Sequence, residues 1–185
     1  TYELVLTDAN GCTAVQTMML SEPPLLSAQV NSSAVDCFDD NTGAATILPE
    51  GGTPSYTYQW DDNANSQITS TAIDLHAGTY LVTVSDANNC TFIESITVLE
   101  PTELSATISF EHPNCFEAAD GSILVTTSGG TPNYNYQWSS SNLPNSPDVS
   151  ALEAGNYTLT ITDDNDCISI VSALLENPDP VEVSL

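Results

Sequence analysis

Three groups of residues in this 185-residue chain are of a type and spacing that could do chemistry. Five cysteines stand at positions 12, 37, 90, 115 and 167, and could serve as catalytic thiols, metal ligands or disulfides. Acidic side chains gather in short polar stretches, Asp36 with Asp39 and Asp40, and Asp163 with Asp164 and Asp166. Hard carboxylate oxygens of this kind suit calcium, which takes 6–8 oxygen ligands. Two aromatic triplets, Tyr56-Tyr58-Trp60 and Tyr134-Tyr136-Trp138, have the spacing that puts three rings on one face of a strand, as a sugar-stacking platform would. His76 and His112 have no partner at the spacing of a zinc site or a catalytic triad. No nucleophile–base pairing of catalytic type accompanies any of these, so a non-enzymatic chain is expected.

Charge narrows the partners. The chain has 25 Asp plus Glu and no Lys or Arg, a formal charge of −25. Without fixed cations it cannot release counterions from a nucleic acid or dock on an anionic lipid surface, so neither partner is expected. Lysine Schiff bases and arginine clamps on phosphoryl groups are excluded with them. Such a charge on an apolar-poor chain means disorder, but 41% of these residues are hydrophobic, enough to build a core. No run approaches the ~20 apolar residues of a membrane helix, so direct membrane insertion is not expected. The opening Thr1-Tyr2-Glu3-Leu4 lacks the basic and apolar regions of a signal peptide, which suggests a removed leader or an excerpt of a longer chain.

A repeat organises all of this. GGTPSYTYQW at 51–60 returns as GGTPNYNYQW at 129–138, and AGTYLVTVSDANNC at 77–90 returns as AGNYTLTITDDNDC at 154–167. TYELVLTDANGC at 1–12 is that second segment one period earlier. The period of 77–78 residues is too long for a solenoid turn and suits a small β domain. The expected division is 1–22 for the last two strands of a truncated repeat, 23–101 and 102–178 for complete repeats, and 179–185 for the first strand of another. Inside each unit, β-branched and aromatic residues alternate between Gly, Pro, Asn and Asp turns, as in Thr79-Tyr80-Leu81-Val82-Thr83-Val84. Strands are expected at about 26–33, 43–49, 55–60, 67–73, 79–85 and 91–98. Short strands with turns every 8–12 residues predict an all-β chain of tandem immunoglobulin-like sandwiches.

At GGTPxYxYQW, the L-x-AG-x-Y-x-x-x-x-D-x-N-x-C segment and the closing L-E-x-P, the chain resembles the SprB repeat. That family builds giant surface adhesins and other secreted proteins of gliding bacteria of the Bacteroidetes type. The resemblance implies an extracellular tandem array on the cell surface, delivered by a type IX route and acting as stalk or adhesin, with no catalytic residues to carry over.

In a sandwich the Trp-bearing strand faces the core, so the aromatic triplets are expected inside, with a carbohydrate-binding module for surface polysaccharide as the competing reading. The acidic turns have two readings. Asn and Asp cap their own turns and tolerate left-handed backbone. Topology, however, sets the first interstrand loop of one repeat against the last hairpin turn of the next. Asp36, Asp39 and Asp40 would then converge on Asp163, Asp164 and Asp166, with Glu100 in the linker, where calcium would relieve the repulsion. The same topology decides the cysteines, whose regular placement argues for disulfides. Cys37 and Cys90 belong to one repeat but to opposite ends of strands of ~7 residues, ~23 Å long, and bridged Cα atoms lie within ~7 Å. Cys37 is therefore expected to meet Cys167 across the junction, leaving Cys12, Cys90 and Cys115 to pair with repeats outside the chain. The partners of this segment are then neighbouring repeats of the same long chain. Fibre self-assembly by strand exchange at the cut ends is a further expectation.

Overall fold

The computed structural model describes residues 1–181; the strand expected at 179–185 falls from 182 onward outside the described residues. β1 (Tyr2–Thr7) and β2 (Thr13–Met18) form a hairpin that precedes two sandwiches. The first holds β3 (Ser27–Ser33), β4 (Gly43–Glu50), β5 (Thr57–Trp60), β6 (Thr71–Leu75), β7 (Gly78–Ser85) and β8 (Thr91–Val98). The second repeats the plan with β9 (Ser105–Glu111), β10 (Gly121–Ser128), β11 (Asn135–Trp138), β12 (Asp148–Leu152), β13 (Gly155–Thr162) and β14 (Ile168–Leu175).

Strand pairing is antiparallel throughout, and each repeat has two three-stranded sheets, in the orders β3-β4-β6 and β5-β7-β8, then β9-β10-β12 and β11-β13-β14. This is the strand distribution of an immunoglobulin-like sandwich. Period-two alternation decides which side chains lie between the sheets: Ala45 and Ile47 from β4 meet Tyr80, Val82 and Val84 from β7 and Ile96 and Val98 from β8. The second core is built alike from Ile123, Val125, Leu159, Ile161, Ala173 and Leu175. Trp60 and Trp138 lie inside, 1% and 5% exposed, with their indole N–H groups donating to the carbonyls of Thr69 and Ser146. Tyr56, Tyr58, Tyr134 and Tyr136 are half-buried against these cores, so the triplets are core elements.

The hairpin makes the point by contrast. Tyr2, Leu4, Leu6 and Met18 occupy the positions of buried Tyr80, Val82, Val84 and Ile96, yet they are exposed, because no second sheet covers them among the described residues.

Two strands start later than expected, the third at Thr57 rather than 55 and, more markedly, the fourth. The fourth begins at Thr71 rather than 67, because a short 3-10 turn over Asp62–Ala64, capped by the Asp61 side chain, carries the chain outward first. The Gln67 side chain then bonds both the N–H and the carbonyl of Ile73, occupying the groups that a longer ladder would use.

Tyrosine hydroxyls tie the corners. Tyr80 and Tyr157 donate to the carbonyls of His76 and Glu153, four residues upstream, in the manner of a tyrosine corner. Burial, and then the charge of Asp61 for Tyr80 and of Glu153 for Tyr157, raises both hydroxyls above their ordinary pKa. His76 contributes through its backbone, and His112 accepts the Glu176 N–H at Nδ1 while its ring meets Phe110 edge-on. Among the described residues no helix is long and apolar enough to cross a membrane.

Candidate functional site at the repeat junction

Two loops meet where the first repeat hands the chain to the second. The first follows β3: Val35 N–H donates to the Leu99 carbonyl at 3.0 Å, which sets the loop beside the exit of β8. Asp36 N–H then donates to Thr42 Oγ1, and Asp40 N–H closes a turn onto the Cys37 carbonyl. Asp39 sits in the left-handed region, φ 59°, and its N–H donates to Glu100 Oε2 at 3.1 Å. Glu117 repeats this in the second repeat, with φ 57° and its N–H on Asn177 Oδ1, so the linker residue clamps the loop of its own repeat both times.

The second loop is the turn between β13 and β14, and Asp163 organises it. Its Oδ1 accepts the N–H groups of Asn165 and Cys167 at 2.9 Å, and its Oδ2 accepts that of Thr131 at 2.7 Å, which ties the turn to the Gly-Gly-Thr-Pro loop. Asp86 does the same for Asn88, Cys90 and Thr53, and Asp8 for Asn10 and Cys12. The first Asp of each D-x-N-x-C segment is thus the part that aims its cysteine. Asp86 and Asp163 are only 4% and 5% exposed. For Asp86 the Thr53 N–H is the largest influence, and with the Cys90 and Asn88 donors it overcomes burial and holds the carboxyl below the usual range. For Asp163 burial is the largest single influence and would raise the pKa, but the N–H groups of Thr131, Cys167 and Asn165 together outweigh it and lower it.

Across the junction, a disulfide joins Cys37 to Cys167, with Cα atoms 5.7 Å apart and 130 residues between them in sequence. Cys37 packs against the core of the second repeat, and Asn165 Nδ2 donates both to the Asp36 carbonyl at 3.0 Å and to Thr131 Oγ1 at 3.1 Å. Phe38, Glu103, Leu104 and Ile168 line a shallow groove beside the bond. Cys12, Cys90 and Cys115 are exposed thiols. Cys90 stands in the first repeat's equivalent of the turn that holds Cys167, and Cys115 in the second repeat's equivalent of the Cys37 loop, its carbonyl accepting the Ala118 N–H.

The seven acids of the expected calcium set are distributed differently from a ligand cage. Asp163 faces into its own turn, Glu100 holds the Asp39 N–H, Asp40 Oδ1 accepts the Asn41 N–H, and Asp36 reaches the partner loop through its backbone carbonyl. Asp36, Asp39, Asp164 and Asp166 are solvent-exposed. Among the described residues no group of three or more His, Cys, Asp or Glu is arranged to hold a metal ion. The turn-organising role of Asp86 and Asp163 escapes a reading of the sequence, although a signal exists: each recurs with a Gly-Gly-Thr-Pro segment 35 or 34 residues ahead of it.

The SprB repeat family model matches residues 30–65 and 107–143, one stretch in each sandwich. Each sandwich of this chain thus matches the SprB repeat over part of its length. Comparison with curated proteins returns no match. Solved structures similar to this chain include a C-terminal 282-residue fragment of intimin in complex with the intimin-binding domain of the translocated intimin receptor. It is 16% identical, with 85% of this chain and 65% of that one covered and a TM-score of 0.44. A Dscam structure is 14% identical, covering 91% of this chain and 52% of that one at a TM-score of 0.35. Murine CEACAM1b is 12% identical, covering 81% and 100% at a TM-score of 0.30. The chain thus spans less than two thirds of the intimin fragment and about half of the Dscam chain.

Proposed function

We propose that this chain is a structural segment of an extracellular, surface adhesin-type fibre, in which SprB repeats act as stalk or spacer and the junction between them fixes their spacing. The observation that carries the reading is the disulfide between Cys37 and Cys167, because it links two separately cored domains instead of closing either one. Disulfides belong to oxidising compartments, which agrees with a cell-surface place. The role as a gliding-motility adhesin and the type IX route are the finer part of the proposal, supported by the SprB repeats alone.

In the same proposal Cys90 and Cys115 are the two halves of further joints. Each has the local geometry of one side of the Cys37–Cys167 bond, and Asn88, the counterpart of Asn165, holds Thr53 Oγ1 as Asn165 holds Thr131 Oγ1. Calcium enters only as a neutraliser of the exposed junctional acids. Melts in chelator and in millimolar calcium chloride that coincide at matched ionic strength would remove it.

Small-angle scattering on the oxidised chain and on the chain held reduced tests the stalk. The oxidised form is expected to give an extended particle with one well-defined maximum dimension, and the reduced form a broader distribution. A compact particle, or tight binding of polysaccharides on a glycan array, would overturn the stalk reading.

A further inference from the structure

The disulfide and the strand directions together define a route for tension. β3 starts at one end of the first repeat, where Ser27 is opposite Glu50, and ends at the other, where Ser33 is opposite Ala44 and Val35 holds the Leu99 carbonyl. Cys37 follows it directly. In the second repeat Cys167 stands at the near end, and β14 runs from there, with Ile168 opposite Thr162, to the far end, with Leu175 opposite Gly155. The bond therefore joins the end of a strand that crosses the whole first repeat to the start of a strand that crosses the whole second one. Both strands are already extended, at about 3.3 Å per residue against a limit near 3.6 Å.

We infer that the Cys37–Cys167 disulfide gives these repeats a load-bearing function: tension passes along β3, across the two sulfurs and along β14, while residues 38–166 hang in a closed loop parallel to the load. Force lowers an unfolding barrier only through the length it gains. Without the bond, each repeat of about 75 residues would release roughly 250 Å of chain less a folded span of ~30 Å, a gain near 220 Å. With the bond, only the short stretches 26–37 and 167–175 lie in series, and straightening them gains less than ~20 Å. Pulling then does almost no work on either fold. An intra-repeat Cys37–Cys90 bond would have left the second repeat fully extensible.

The strap takes its biological use from the stalk reading, but its test is separate, since step length measures the covalent route and scattering and glycan binding measure the stalk. The full chain, held at its two termini through peptide tags, is pulled in optical tweezers in buffer without reductant. Opening of the uncovered β1–β2 hairpin adds about 50 Å in every sample; beyond it, oxidised molecules are expected to show no step above ~20 Å. In dithiothreitol, a thiolate attacks one sulfur and the second thiol closes the reductant's ring, leaving Cys37 and Cys167 as thiols, and two steps of ~220 Å are expected. The Cys37→Ser, Cys167→Ser chain is expected to behave as the reduced one. Should that variant fail to fold, adding dithiothreitol to an oxidised molecule held under load serves instead, with a total release near 440 Å expected. Steps of ~220 Å from oxidised molecules, or identical records with and without reductant, would overturn the strap.

Discussion

Breaking the junctional bond is expected to change both how stable the two repeats are and whether they unfold together. The bond closes a separation of 130 residues when the whole chain is unfolded, for which loop-closure entropy gives about 5 kcal/mol. With the first repeat still folded, Val35 pins the bond beside Leu99, so the loop closed in the unfolded second repeat runs only from 99 to 167. About 70 residues corresponds to about 4 kcal/mol. Opening the first domain is thus opposed by about 4 kcal/mol, and opening the other adds only about 0.6 kcal/mol more. The oxidised chain should melt as one cooperative unit, and the Cys37→Ser, Cys167→Ser chain as two independent domains. Scanning calorimetry distinguishes these states, since van't Hoff and calorimetric enthalpies agree for one unit and differ by about twofold for two. At roughly 2–4 °C per kcal/mol for a unit of about 150 residues, the variant should also melt about 10–20 °C lower. Equal melting temperatures and equal enthalpy ratios in the two proteins would refute the loop argument and the junctional placement it rests on.

Other expectations follow from single residues. Trp60→Ala removes a side chain 1% exposed and strands the Thr69 carbonyl; a loss of about 3–5 kcal/mol is expected in urea titration, and an unchanged midpoint would contradict its place in the core. Gly129→Ala should be severely destabilising, because φ is +74° and the added Cβ would overlap the Glu103 carbonyl oxygen. Gly11→Ala, at φ +83° but with nothing within 4 Å, is the control and should leave the melting of both sandwiches unchanged. The carboxyls of Asp86 and Asp163 have folded pKa values below their unfolded ones. Their stabilisation is therefore present above about pH 4 and lost as pH falls through the folded values. Self-repulsion relaxes in the opposite sense as the 25 carboxylates protonate. Stability should rise as pH falls from 7 toward about 4 and drop below that, and Asp86→Asn with Asp163→Asn should flatten the drop. An acid limb identical in the variant and the parent chain would count against this role.

The strands were legible because their code is local. Alternating Tyr80, Val82 and Val84 can bury one face only as a strand, and the same alternation returning 77–78 residues on gives the second sandwich. The later start of β6 was not legible, since the Gln67 side chain imitates a strand neighbour through groups that a propensity pattern does not see. The acidic turns show the same division more sharply. Their composition marks them as turns and as sites of repulsion, but nothing in the spacing says that the Asp163 oxygens point back to Thr131, Asn165 and Cys167. A carboxylate finds the backbone donors of its own loop first, and that depends on which loops the fold stacks together.

By itself the sequence determined the repeat, the all-β class, the burial of both tryptophans and the absence of fixed cations, since each is a matter of residue type and short period. Only the tertiary structure decided the contact itself, 5.7 Å between Cα atoms, for a pair that the repeat and the sandwich topology had already singled out. Two positions separated by a whole repeat become neighbours through the direction in which β3 leaves one sandwich and β14 begins in the next, and how closely those ends approach is a property of packing that no local pattern encodes.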